Sequence, residues 1–330
     1  MLKEPEETPL HWSRQKEQAA GYWNVKLLHV AFLLFPVAIM RILAFVVSFF
    51  YFLFSKRSRS ESSRFLKKAA PFIQDPAIAK KCCSPFGPLR HICSFSLYML
   101  EKIQSWGGKF PFKNVHFIDD DVVELNSQLE KGKGAFLICS HLGNLEMLKG
   151  LGSFGFTFVP RYVPVTTIVN VHVTENFTRV LNELNPQSSL AIISASDIGP
   201  HTAILLQERL SAGEVVVIAG DRTSAGNTDK RLMIPFFGEE APFPMGPFYM
   251  AALMEAPVYF MFALRRGDLS IKPEYNLHIH KCPLSFECSR KERLNRSSFL
   301  ARSFAALLES YCKQNPFQWY NFHDFWSKEV

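Results

Sequence analysis

A histidine and a carboxylate spaced as H-x4-E stand in the run Cys139-Ser140-His141-Leu142-Gly143-Asn144-Leu145-Glu146. An imidazole beside a carboxylate can take a proton from a hydroxyl. The carboxylate of Glu146 would orient the ring of His141 and stabilise the imidazolium that forms. No serine or cysteine nucleophile is needed if an acceptor alcohol attacks an acyl carbonyl directly. Negative charge then develops on the carbonyl oxygen, and backbone N–H groups at a helix N-terminus can stabilise it. Asn144, between the two, is a candidate substrate contact. The competing reading of His141 is a hydrogen-bonded core histidine at a strand end.

These residues need elements to hold them. From about Pro111 onward, apolar runs predict buried strands at Ala135–Ser140, Phe156–Val163, Leu190–Ser196, Glu214–Ala219 and Pro257–Leu264. Helical patterns fall between and after them, at Leu145–Leu151, Ile168–Leu184, Pro200–Leu210, Gly246–Glu255 and about Arg290–Lys313. Pro200 suits a first helical turn, and Gly213 suits the stop before the next strand. The alternation implies an α/β domain with a mostly parallel central sheet flanked by helices. His141 then sits at the carboxyl end of the first buried strand, where such sheets gather their functional residues. Gly143 lets the backbone turn closely.

Ahead of that domain, Leu27–Phe54 is almost wholly apolar, with His29, Pro36 and Arg41 as interruptions, long enough for a membrane-anchor helix. Arg41 leaves two arrangements: a tilted span with the arginine snorkelling, or a helix lying partly in the interface. A buried helix pair is the third reading. The run begins too far from Met1 for a signal peptide, and no small-residue cleavage site follows it. Lys56, Arg57, Arg59, Arg64, Lys67 and Lys68 come next, which suits a cytoplasmic face and anionic headgroups. The expected organisation is a polar or amphipathic segment at 1–26, the anchor at 27–54, a basic linker and helical region at 55–110, and the catalytic domain at 111–330.

The formal net charge of +7 fits an anionic membrane or an acidic protein partner. Nucleic acid is not expected, because no zinc-finger or other nucleic-acid motif accompanies the charge. Seven scattered cysteines argue for a reducing compartment rather than a disulfide framework. Cys82, Cys83, His91 and Cys93 lack the spacing of a tetrahedral site, so no metal is expected.

The S-H-x-G-N-x-E wording resembles the first block of the lysophospholipid acyltransferase superfamily, and most closely its bacterial lipid A biosynthesis (lauroyl/myristoyl) branch. The resemblance covers roughly Gly134 to Gly267. Ala219-Gly220-Asp221-Arg222 looks like the second block, with Arg222 where glutamine commonly stands. Pro235-Phe236-Phe237-Gly238, with Ala241, Pro244, Gly246 and Pro247, matches the P-F-F-G…A stretch, and Ala256-Pro257-Val258-Tyr259 with Arg265-Arg266 matches the strand after it. The Trp12…Glu17…Gly21 segment and the aromatic tail Pro316–Trp326 look more like acyltransferases of aryl-polyene lipid clusters, another branch of the superfamily.

That resemblance implies an enzyme moving a fatty acyl group from a thioester to a hydroxyl of a membrane lipid or glycolipid, with His141 as base and Glu146 as its orienting partner. The donor in this branch is usually acyl carrier protein, whose acidity suits a basic surface; acyl-CoA is the other donor, and no cofactor is implied. The implied place is the cytoplasmic face of a bacterial inner membrane. Asp221, Arg222 and Arg179 are candidate contacts for substrate phosphate or hydroxyl groups, with Arg161 beside them. Phe236 and Phe237 are candidates for an acyl channel, and Gly238 for a turn. For each of these a structural role is the alternative. The aromatic tail has two readings, interfacial tryptophans or a strap closing the core. The alternatives to the whole reading are a glycerolipid acyltransferase, disfavoured because Gly220-Asp221-Arg222-Thr223 replaces an E-G-T-R block, and a non-catalytic lipid-binding protein of the same fold.

Overall fold

The computed structural model describes residues 35–106, 110–145, 159, 161–169, 192–195, 198–223, 230–283 and 292–327. Its helices, among these residues, are α1 (Val37–Phe54), α2 (Lys56–Ala69), α3 (Pro76–Cys83), α4 (Gly87–Trp106), α5 (Asp121–Glu130), α6 (Pro200–Ser211), α7 (Gly246–Leu253) and α8 (Glu292–Gln314). The strands are β1 (Val115–Phe117), β2 (Ala135–Gly143), β3 (Val165–Val169), β4 (Ile192–Ser194), β5 (Val215–Ala219), β6 (Arg231–Phe236), β7 (Glu239–Pro244), β8 (Val258–Arg265) and β9 (Tyr275–Lys281).

Seven strands form one sheet in the order β1-β9-β8-β2-β5-β3-β4. All neighbours are parallel except β8 and β9. This is the mostly parallel, helix-flanked α/β architecture that the strand-helix alternation predicts. β2, at the centre, is buried on both faces, as its near-continuous apolar run requires. Phe136 and Ile138 face one core with α7, α8 and the C-terminal segment; Ala135, Leu137 and Cys139 face the other with α5.

The β3 expectation needs correction. Residues 156–158 and 160 lie outside the described residues, and the strand observed is the β-branched run Val165-Thr166-Thr167-Ile168-Val169, paired in register with β5. Ile168 and Val169 therefore belong to a strand and not to the start of a helix; the rest of that expected helix, 170–184, lies outside the described residues. Tertiary pairing of a β-branched segment overrides its helical spacing.

Arg41 bears on one of the arrangements open to this helix, the tilted span with a snorkelling arginine. Its side chain is 12 % exposed, donates to the carbonyl of Ile271 and lies 3.9 Å from Glu101 Oε1. It neither snorkels nor faces solvent. α1 packs along α4, with Ser48 Oγ 2.7 Å from Ser96 Oγ. α4 in turn carries Glu101, which forms a buried pair with Arg265 at the end of β8 (3.0 Å) and accepts from the Tyr275 hydroxyl at 2.5 Å.

Candidate active site at the carboxyl end of β2

β2 and β8 run in register to the pair Cys139–Met261, and the next pair is Gly143–Ala263. The extra residues on β2 make a bulge at Ser140-His141-Leu142, a device that re-aims side chains at a strand end. Gly143 closes it at φ 75°, where a Cβ would fall 2.0 Å from the Ala263 carbonyl oxygen. Only glycine fits there.

The bulge turns His141 toward β5. Gly220, just past β5, donates its N–H to the Cys139 carbonyl at 2.8 Å, which brings Asp221 alongside. His141 Nδ1 lies 2.8 Å from Asp221 Oδ1, and the backbone N–H of His141 donates to Oδ2 at 2.8 Å. A third donor, Trp319 Nε1–H, reaches Oδ2 at 3.0 Å. An ionised carboxylate can only accept, so Nδ1 carries the proton and Nε2 keeps its lone pair. The Asp221 side chain has no exposure, whereas that of His141 keeps 25 %.

Electrostatics set both protonation states. Burial pushes the Asp221 carboxyl up, but His141, its hydrogen bonds and Arg222 outweigh that and hold it at about 2. Burial lowers His141 below its ordinary value, and the neighbouring Arg222 adds to this; Asp221 opposes them without winning. The result is a neutral imidazole beside a permanently ionised carboxylate, the arrangement a general base needs.

The C-terminal segment locks the pair. After the turn Pro316–Gln318, Trp319 pairs with Leu142, and Tyr320 donates its N–H to the His141 carbonyl at 3.1 Å. Trp319 is fully buried against Phe65, Phe325 and Phe236. Of the two readings of the aromatic tail, the strap is the one observed. Arg222 fastens it from below, donating from Nη2 to the Tyr320 carbonyl at 2.7 Å and from Nε to Asn321 Oδ1 at 3.2 Å.

Other expected site residues fall as follows. Asn144 is buried at the same strand end; its backbone N–H donates to Ala263, and both polar atoms of its side chain are without a hydrogen bond among the described residues. Phe236 and Phe237 are buried in the aromatic core. Phe236 ends β6, and Phe237 (φ 51°) and Gly238 (φ 75°) form the β6–β7 turn, both with positive φ, as a tight hairpin requires. Arg161 donates to the Leu129 and Gly213 carbonyls and ties the end of α5 to the turn before β5. Glu146 and Arg179 lie outside the described residues.

The cysteine–histidine group has other employment. His91 donates from Nε2 to the Trp319 carbonyl at 3.0 Å and accepts from Ser62 Oγ at 2.9 Å; burial lowers it to about 4. Burial raises the Cys82 thiol to about 12. Elsewhere, Asp119, His278 and His280 bring three donor atoms within 4.8 Å of one another. Asp119 already accepts from His278 Nδ1 at 3.0 Å and from the Ile279 N–H at 3.1 Å, which ties the end of β1 to β9.

Sequence reasoning placed Asp221 in the site but not on His141, and it missed Trp319 as a donor. The available signal was an acidic residue just past a buried strand, Asp221 after β5; the neighbourhood of β5 and β2 comes from the structure.

The chain is also similar to known proteins. It is 24 % identical over 213 residues to a phosphatidylinositol mannoside acyltransferase of Mycolicibacterium smegmatis, an alignment spanning 64 % of this chain and 62 % of that relative. The family model described as bacterial lipid A biosynthesis acyltransferase matches residues 93–328, from α4 through the strap, so the chain belongs to that family.

Proposed function

We propose that this protein transfers a fatty acyl group from a thioester to a hydroxyl of a sugar-bearing membrane lipid, with His141 as general base and Asp221 as the residue that orients it. The observation that carries this reading is the 2.8 Å contact between His141 Nδ1 and Asp221 Oδ1, which leaves Nε2 free to accept a proton. The acceptor O–H gives its proton to Nε2 as its oxygen attacks the thioester carbonyl. The tetrahedral intermediate then expels the thiolate, which takes the proton back from the imidazolium. Asp221 stays ionised throughout and stabilises that imidazolium.

Asn144, buried at the same strand end with no side-chain hydrogen bond among the described residues, supplies a donor and an acceptor for substrate. Glu146, the orienting partner expected from the sequence, lies outside the described residues; the Nδ1 atom that such a carboxylate would hold is engaged by Asp221. Phe236, Phe237 and Gly238 act at one remove, by supporting the wall of the site behind Trp319.

The relative's name and the family's description both point to lipids that carry sugars, which favours a glycolipid acceptor over a lysophospholipid. The net charge of +7 favours acyl carrier protein as donor, with acyl-CoA the second choice. No cofactor is needed, because the thioester supplies the activated acyl group. The basic stretch Lys56–Lys68 favours the cytoplasmic face of a bacterial inner membrane.

Lipid mass spectrometry of cells with and without the gene tests the reading. Loss of one membrane glycolipid in favour of a species lighter by an acyl chain supports it. An unchanged lipid profile, together with purified protein that moves no label from either thioester into a lipid extract, contradicts it.

A further inference from the structure

The apolar helix α1 is 18 residues long, about 27 Å at 1.5 Å per residue, close to the thickness of a bilayer core. Length alone would let it span. Its attachments do not. Near its N-terminal end, Arg41 donates to Ile271, between β8 and β9. Midway, Ser48 bonds Ser96 of α4. At its C-terminal end, Ser55 leads straight into α2, whose Phe65 packs on Trp319 (ring centroids 4.8 Å apart) and whose Arg64 pairs with Asp324 of the strap. Both ends of α1 are thus fastened to one globular body. In a spanning helix these ends would lie on opposite sides of the bilayer, dragging Glu101, Arg265 and the β8–β9 turn through hydrocarbon, where such charges are costly.

We infer that α1 lies in the plane of the membrane and inserts one face into a single leaflet. The face toward the protein carries Met40, Arg41 and Ser48. The opposite face carries Ile39, Ile42, Val46, Val47, Phe50 and Leu53, all exposed. An in-plane helix of this kind buries its apolar face about 5–10 Å into the headgroup–acyl boundary. Anionic lipid suits the rim, because exposed Lys56 and Arg57 follow α1 directly. Arg59 stacks over the Phe52 ring and donates to the carbonyl of Phe52, capping the helix end. The placement rests on α1 and its contacts, independently of the acyl-transfer chemistry.

The test is depth measurement on the full chain bound to phosphatidylglycerol/phosphatidylethanolamine vesicles. Single cysteines at Ile39, Val46 and Leu53 lie on one helix face and take a fluorophore in a Cys83→Ser, Cys288→Ser background. Nitroxide lipids labelled at different acyl positions then report depth. In-plane seating gives the same shallow depth for all three labels. A deepest label at position 46, with positions 39 and 53 in opposite leaflets, overturns the proposal in favour of a span. Labels untouched by lipid quenchers, on a protein that is dimeric in lipid-free buffer, overturn it in favour of a second copy covering the face. Binding to phosphatidylcholine vesicles should be at least about fivefold weaker, and equal binding would remove the anionic preference.

Discussion

His141 Nδ1 and Asp221 Oδ1 lie 2.8 Å apart although 80 positions separate them in the chain. The other carboxylate oxygen accepts from the His141 backbone N–H and from Trp319 Nε1. One carboxylate therefore fixes the ring, its strand and the C-terminal strap together.

Asp221→Asn should cost activity out of proportion to its size. The Oδ2 position faces two donors, so the amide NH2 must turn to the Oδ1 position and meet Nδ1. That forces the proton onto Nε2, the wrong tautomer for a base. We expect kcat to fall about 1,000- to 10,000-fold while near-UV circular dichroism is retained. A loss smaller than about tenfold would remove Asp221 from the mechanism.

Trp319→Phe keeps the aromatic packing and deletes only the indole N–H. A hydrogen bond to a charged group contributes about 1.5–3 kcal/mol. Steady-state kinetics should show kcat lowered by about 10- to 100-fold, with KM for the thioester within about twofold of wild type.

The acid limb of activity follows from the lowered pKa of His141. The neutral imidazole is the active form, so activity is full above that pKa and falls as pH drops through it, with a midpoint below 6.5. Arg222→Gln removes a positive charge that lowers His141, while its amide stands at the level of Arg222 Nε, the donor to Asn321 Oδ1. The midpoint of the kcat/KM profile should move to higher pH in that variant.

Glu101→Ala tests the tie between α4 and the sheet. It leaves Arg265 buried without its carboxylate and removes the partner of the Tyr275 hydroxyl. Uncompensated buried charge of this kind costs about 3–5 kcal/mol, read as a lower urea midpoint with an unchanged m-value.

Much of this was legible in the sequence because it was local. The apolar runs of β2, β5 and β8 gave their place, and His141 followed from the end of the first. What depended on distant pairing was not legible. Asp221 reaches His141 only because β5 lies beside β2, and no local pattern states that neighbourhood. β1 is three residues long, too short to carry a period. β9 did carry one, in the alternation Tyr275, Leu277, Ile279, and that signal was readable. The tail's two readings differed only in burial, which the full burial of Trp319 decides.

The central claim is that His141 is the base. Acyl transfer by purified His141→Ala, measured as label moved from the acyl thioester into membrane lipid, tests it most directly. We expect no transfer above the uncatalysed rate, with vesicle binding and near-UV circular dichroism retained. Turnover within about tenfold of wild type would contradict the account.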